Sequence, residues 1–383
     1  MVISGLARDS ANMSSCLLFL PDISGFTKFV QTTEVSHSQH IIAELLELLI
    51  ASNNIDMTLA EIEGDALFFY RETLPTKEEL EGQIEKMLTV FYSHLHMLQK
   101  NRICPCNACI SAPQLELKII AHCGEVEFVS IRDSRKPFGP EVIQAHRLMK
   151  NSVDSDRYLL ISDKLATEVS LLEGRDDAGR TYVAGQDTYD DVVVDYLSHT
   201  IEMESLHLIP HAHAMTVRID SAPTVVVQRT FPVDADTLLE HITDYSQRHH
   251  WTEGLDAIEY NEEEVTRLGT EHTCVINDKR LNFTTVTRED TTAHIVYGEL
   301  TTSVPPLDRL YIFYLFTPID EASCSVDLEA YMQVDSWWKK PLVLLASKMF
   351  KKSMAEGLEL LERYVVATQS EASDPVTEEA VAD

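Results

Sequence analysis

No run of about 18 apolar residues occurs anywhere in the chain, which argues against a membrane-spanning helix. The opening residues also lack the long apolar core of a secretory signal. Positive charge is scarce: 31 lysines and arginines face 62 acidic residues, for a formal net charge of −31. A field of that sign repels phosphate backbones and anionic bilayers, so no nucleic-acid partner is expected. Cysteine is limited to 7 residues, an odd number without a regular disulfide framework, which suits a reducing, cytoplasmic compartment. What is present is ordinary for a globular protein, with 44% hydrophobic residues among 383. That length predicts two domains, each able to bury a core.

Apolar periodicity organises the first part of the chain. Cys16 to Leu20 reads as a short strand leading to Asp22, and Ile41, Ile42, Leu45, Leu46, Leu48 and Leu49 recur at helical spacing. Residues 57–62 and 66–70 read as hairpin arms around a Glu63-Gly64-Asp65 turn, followed by a long helix over 77–99. Residues 115–121 and 125–131 are expected to pair as strands, with a helix over 142–150 and a strand over 158–161. The alternation predicts an α+β or α/β sandwich.

The pattern changes near Ser221-Ala222-Pro223. A strand over 225–231 and a helix over 236–243 precede alternating strands from 256 to 333, and a long helix over 340–366 closes the region. The predicted organisation is a flexible leader (1–14), a first domain (15–200), a linker (201–222), a second domain (223–367) and a disordered acidic tail (368–383).

Asp22 and Asp65 each stand at the end of an apolar strand-like run with a glycine close by. Two carboxylates delivered from neighbouring strand ends suit magnesium or manganese ions gripping a triphosphate. The plainer alternative is that both are strand-end and turn residues, where aspartate is common.

The blocks around them occur in a telling order. Asp22-Ile23-Ser24-Gly25-Phe26-Thr27 is followed by a helix, then by Gly64-Asp65, then by His122-Cys123-Gly124-Glu125, and last by Gly139 to Leu148, which includes Ala145-His146-Arg147-Leu148. In this order the blocks resemble the class III adenylyl and guanylyl cyclases, in a divergent, uncharacterised bacterial branch. The resemblance implies a ferredoxin-like cyclase homology fold and a homodimer sharing its sites. It also implies a purine nucleotide partner, with Asp22 and Asp65 as ligands to magnesium or manganese. Ile23, Ser24, Gly25, Phe26 and Thr27 would cradle the phosphates, and Arg147 would steady the transition state of a purine nucleotidyl cyclase.

Departures from that pattern bear on activity. Ile143 stands where the family orients the ribose with asparagine. Glu61 stands where adenylyl cyclases place lysine and guanylyl cyclases glutamate, so it is a candidate reader of guanine. The partner position falls near Lys136, which fits neither class. The expectation is a metal-nucleotide site with degenerate chemistry; the alternative is an inactive cyclase-fold scaffold or dimerisation module.

Cys104, Cys106 and Cys109 place thiols within a six-residue span, a spacing that suits a soft metal such as structural zinc. Cys123, His94, His96 and His122 are open alternatives for a fourth ligand, and reduced thiols or a redox switch are the metal-free readings. His207, His211, His213, His249 and His250 form no convincing ligand set.

Residues 222–366 resemble the START-like, polyketide cyclase-like (SRPBCC, Bet v 1-like) superfamily, on the strand Thr224–Val233, the helix after Asp234, His250-Trp251, the antiparallel strands and the closing helix. That resemblance implies a helix-grip α+β domain whose sheet wraps the last helix around a pocket for a lipid or other hydrophobic small molecule. Expected lining residues are Trp251, Phe283, Tyr297, Tyr311, Phe313, Tyr331, Leu345 and Met349. The whole reads as a two-domain signalling protein. Trp337-Trp338-Lys339-Lys340, with Lys348, Lys351 and Lys352, is read as a solvated helix face, with contact to a membrane surface as the alternative.

Overall fold

The computed structural model describes residues 15–373 except 133, 176–178, 211–214, 263, 291–292 and 294. The expected leader, His211, His213 and residues 374–383 of the expected tail lie outside the described residues. The chain divides into two compact units, Met1–Met97 with Ser111–His211, and Leu98–Ile110 with Ala212–Asp383.

The first unit is built on strand β1 (Cys16–Ser24), every residue of which is buried. Helices α1 (Phe26–Thr32) and α2 (Val35–Ala51) follow, then β2 (Thr58–Glu63) and β3 (Ala66–Arg71). Helix α3 (Lys77–Asn101) comes before β4 (Glu116–Gly124), and the short α4 (Asn107–Ser111) between them belongs, up to Ile110, to the second unit. Strands β5 (Glu127–Ile131) and β6 (Ser134–Phe138), helix α5 (Pro140–Leu148), β7 (Tyr158–Ser162) and α6 (Asp163–Glu168) come next. Strands β8 (Gly174–Arg175), β9 (Thr181–Tyr189) and β10 (Val192–Thr200) complete the unit.

The sheet order is β2-β3-β1-β4-β7-β10-β9-β8. Its β2-β3-β1-β4 part, built from a βαββαβ run, is the ferredoxin-like arrangement, and β7 extends it in parallel to β4. The apolar run of β1 lacks alternation because the strand is covered on both faces. Helix α2 buries Ile41, Ile42, Leu45, Leu46 and Leu49 at helical spacing.

The expected pairing of 115–121 with 125–131 does not form. Both edges of β4 are occupied by β1 and β7, so β5 pairs instead with β6 as a separate ribbon.

The second unit contains β11 (Val225–Phe231), α7 (Ala235–Thr243), β12 (Leu255–Glu259), β13 (Glu271–Ile276) and β14 (Lys279–Val286). It continues through β15 (Ile295–Thr301), β16 (Arg309–Asp320), β17 (Ser323–Gln333) and α8 (Lys340–Ser373). These strands form an antiparallel sheet in the order β11-β17-β16-β15-β14-β13-β12. Asp234 caps α7 by accepting from the Thr237 amide at 2.9 Å.

Helix α8 lays Met354, Leu358, Leu361 and Val365 into the core beside Val225, Phe231, Phe316 and Leu328. The result is the helix-grip α+β domain. Helix α8 runs to Ser373, into the segment expected as a disordered tail.

Candidate functional site

Asp22 lies in β1, and Asp65 sits in the turn between β2 and β3. Gly64 turns that corner at φ +74°, a conformation that favours glycine. The Ile23 amide donates to the Asp65 carbonyl at 3.1 Å, tying the turn to β1. Asp22 is only 7% exposed. Opposite it across the β1–β4 pairing is Lys118, whose Nζ lies 3.0 Å from the Asp22 carboxylate.

Burial, and next the neighbouring Asp22 carboxylate, hold Asp65 above the usual carboxylate range. Burial pushes the Lys118 ammonium down, but Asp22 outweighs it and the net shift is upward. A carboxylate whose pKa is raised by burial and by a neighbouring carboxylate is a hard oxygen donor, and a divalent cation relieves that repulsion. The pair therefore fits magnesium or manganese, with the Lys118 ammonium already supplying one positive charge beside it.

The segment after Asp22 begins buried at Ile23 and Ser24 and emerges at Gly25, Phe26 and Thr27. Gly25 adopts φ +88° where α1 starts. The two positions that the sequence resemblance marks for base recognition meet each other: Lys136 Nζ of β6 lies 2.8 Å from the Glu61 carboxylate of β2. Ile143 of α5 is 55% exposed and offers no hydrogen-bonding group. Arg147, one turn further on, is ion-paired with Asp190 from the β9–β10 turn.

The motif around His122 contains a buried relay that sequence reasoning did not reach. His122 Nδ1 is 2.7 Å from Ser162 Oγ, and Nε2 is 2.7 Å from Glu141 Oε2. Lys164 Nζ holds the other Glu141 oxygen at 2.7 Å. Burial lowers the His122 pKa, against the pull of Glu141. Gly124 makes the approach possible, since a Cβ there would stand 2.4 Å from Glu141 Cδ. The glycine two residues after the histidine was the available signal; its partner Glu141 was not legible by spacing.

In the second unit Cys104, Cys106 and Cys109 are buried, and their sulfur atoms lie within 4.8 Å of one another. The Cys109 amide donates to Cys106 Sγ at 3.4 Å, as backbone amides commonly do toward sulfur in metal knuckles. Hydrogen bonds to Cys106 and Cys109, then burial, drive the Cys104 thiol pKa far up. Soft donors packed this closely fit a thiophilic ion such as zinc. Among the candidates for a fourth ligand, His122 has both ring nitrogens engaged, and His94 Nε2 lies 3.3 Å from Glu44.

A cavity of about 270 Å³ lies between the second sheet and α8. Its apolar wall includes Trp251, Phe283, Ile312, Tyr314, Leu328 and Phe350. Its polar part is the Arg248–Glu299 pair, joined by two hydrogen bonds, one of them 2.7 Å from Nη2 to Oε2. The Tyr297 hydroxyl donates to Glu299 at 2.7 Å. Burial works to raise the Glu299 pKa, but Arg248 outweighs it and holds the group at about 2. His272, stacked on Phe283, is lowered to about 4, chiefly by burial.

Of the residues expected at the pocket, Trp251 and Phe283 line it, and Tyr297 is buried in the adjoining core. Phe313 and Tyr331 lie in a second cluster with Val286 and Leu315, against which Tyr311 packs. Alternation along β16 explains the difference: Ile312 and Tyr314 take the cavity side, and their odd-numbered neighbours the other. Leu345 and Met349 are 68% and 74% exposed and lie outside the cavity wall. They lie on the face of α8 opposite Val343, Ala346 and Phe350, which pack against the core.

A separate cleft of about 460 Å³ in the first unit is lined by Thr89, Arg180, Thr181 and His199, and contains none of the carboxylates above. No helix among the described residues is long and apolar enough to cross a membrane.

Comparison with known proteins gives a different relative for each part. Residues 42–158 match the family described as "Protein of unknown function (DUF2652)". An uncharacterised protein of Mycobacterium tuberculosis is 32% identical over 125 residues, which is 33% of this chain; the match spans 58% of that relative's length.

Among solved structures, the adenylyl cyclase CyaB from P. aeruginosa is similar at 16% identity, with 50% of this chain and 96% of that chain covered and a TM-score of 0.36. The guanylate cyclase domain of RhGC from Catenaria anguillulae, solved with GTP, is similar at 16% identity, covering 49% and 97%, with a TM-score of 0.36. The protein XoxI from Bacillus cereus is similar at 11% identity, covering 38% and 96%, with a TM-score of 0.30. Residues 222–366 match the family described as "Polyketide cyclase / dehydrase and lipid transport".

Proposed function

We propose that the first unit binds a purine nucleoside triphosphate together with magnesium or manganese, and that the second holds a small hydrophobic molecule in its cavity. The observation that carries the first part is the pairing of Asp22 with Asp65, whose raised pKa reflects burial and an adjacent carboxylate. A divalent ion held there would neutralise phosphate charge and polarise the α-phosphate. Asp22 and Asp65 hold that ion, the backbone from Ile23 to Thr27 faces the phosphates, and Glu61 reads guanine once Lys136 is displaced. Arg147, released from Asp190, is the cation for charge developing on the phosphate.

Cyclisation is the weak step. With Ile143 in place of a hydrogen-bonding residue, the ribose loses one orienting group, a loss worth about two to three orders in rate. The protein therefore acts first as a nucleotide binder and at most as a slow nucleotidyl cyclase, within a cytoplasmic homodimer. Incubation of the full chain with GTP or ATP and manganese tests this, with thermal shift and cyclic nucleotide plus pyrophosphate as readouts. A metal-dependent shift supports the site. Neither shift nor product would leave the second reading, an inactive cyclase-fold scaffold carrying a ligand-binding domain. That reading is favoured by the ammonium on Asp22 and by the closed Glu61–Lys136 pair.

In the second unit a volume of about 270 Å³ lies just below the range of about 300–1,000 Å³ usual for ligand pockets. A compact hydrophobic molecule or a single short chain suits it better than a two-chain lipid. Structural zinc at Cys104, Cys106 and Cys109 completes the reading. Ligand binding in the second domain is proposed to alter the nucleotide site of the first, giving a signalling protein.

A further inference from the structure

Helix α8 and the turn before it carry two kinds of surface. From Met354 onward the helix buries an apolar stripe in the core. Before that point Val343 and Phe350 pack against the core, while the other face is open to solvent: Trp337 is 81% exposed, Trp338 60% and Leu344 72%, in addition to Leu345 and Met349. Globular proteins seldom leave so many large apolar groups contiguous and uncovered.

The charge of the same stretch is equally out of character. Between Trp337 and Lys352 there are 5 lysines and no acidic residue, in a chain of net charge −31. Lys339 is held by Asp308 at 2.6 Å and Lys352 by Glu356 at 3.4 Å. Lys340, Lys348 and Lys351 are exposed and have no ion-pair partner among the described residues. Leu344, Leu345, Lys348, Met349 and Lys352 fall on one side of α8 by helical spacing.

We infer that this face docks on a lipid bilayer bearing anionic headgroups. Tryptophan and leucine seated at the headgroup boundary, with lysines beside them, is the composition of helices that lie in a membrane interface. Lysine stems lie along the apolar surface while their ammonium groups reach the phosphates. The cores of protein–protein interfaces are instead depleted in lysine. The chain's overall negative charge does not prevent docking, because charges beyond a Debye length of about 8 Å are largely screened at physiological salt. Phe350 and Ser353 belong to the cavity wall and follow Met349 within about one helical turn, so the docked face adjoins the cavity. The inference does not depend on the nucleotide reading.

The test is co-flotation of the full chain with vesicles of phosphatidylcholine alone and of phosphatidylcholine mixed with phosphatidylserine. Binding is expected only to the anionic vesicles and should be lost at high salt. Each lysine near such a surface contributes about 1 kcal/mol, so the double reversal Lys348→Glu with Lys351→Glu should weaken binding by at least about tenfold. Trp337→Ser with Trp338→Ser should weaken binding while leaving the melting temperature unchanged, because both rings are exposed. Absence of binding to anionic vesicles, or equal binding to neutral ones, overturns the proposal. Vesicle-independent self-association abolished by the tryptophan pair also overturns it, and assigns the face to a second copy of the chain.

Discussion

Lys136 and Glu61, from different strands of the first unit, form an ion pair at 2.8 Å at the positions proposed to meet the base. Both side chains are substantially exposed, so the pair is worth at most about 1 kcal/mol. An incoming base can displace it at small cost. Lys136→Ala should therefore strengthen GTP binding by a few-fold and leave ATP binding nearly unchanged, measured by nucleotide titration calorimetry. Equal effects on both nucleotides would separate Glu61 from guanine recognition.

In the proposed site Lys118 would compete with the divalent cation for Asp22. A unit charge at contact near a protein surface contributes a few kcal/mol, so its removal should be felt directly. Lys118→Met is expected to raise manganese affinity by about tenfold, read by the loss of the free-ion electron spin resonance signal. Unchanged or weaker affinity would mean that Asp22 and Asp65 are not the ligands.

Gly124 leaves the space that Glu141 fills on its way to His122. Gly124→Ala should lower stability by about 1–3 kcal/mol through overpacking. Chemical denaturation measures it, and the loss should shrink when Glu141→Ala is already present. A full loss in both backgrounds would point to the backbone instead.

His272 gives the second unit an acid limit. It faces Glu299, Arg248 and the Tyr245 ring in the core, and burial lowers its pKa to about 4. The unfolded chain takes up this proton near pH 6.5 and the folded chain only near 4, so stability is present above 6.5 and falls through that interval. The displacement corresponds to about 3 kcal/mol. Glu299, lowered from the ordinary 4.5 to about 2, adds a further loss as pH falls from 4.5 through 2. His272→Phe should flatten the pH dependence of unfolding between pH 6.5 and 4; an unchanged slope would assign it to other groups.

The cysteine trio predicts stoichiometric metal. Purification without chelator should yield about one zinc or iron per chain by elemental analysis, and Cys106→Ser should reduce it. Metal-free protein with unchanged stability would leave only reduced thiols.

Much of this architecture could be read from the sequence because its strongest signals are local. The βαββαβ order followed from periodicity, and the aspartates were found because glycines mark the turns beside them. The partners of β5, by contrast, depend on which edges of β4 are already taken, which no local pattern records. Lys118, Lys136 and Glu141 reach their partners through strand register and tertiary packing, so spacing alone did not connect them. The face chosen for Tyr311 and Phe313 depended on a register that alternation leaves ambiguous when every residue of a strand run is apolar.

That alternation in β16 separates two kinds of change. Ile312 and Tyr314 can vary to change the shape of the cavity while Tyr311 and Phe313 continue to hold the opposite layer. Selection can thus reshape the cavity one side chain at a time without dismantling the sheet. A single-residue insertion in the same strand would exchange the two roles at once.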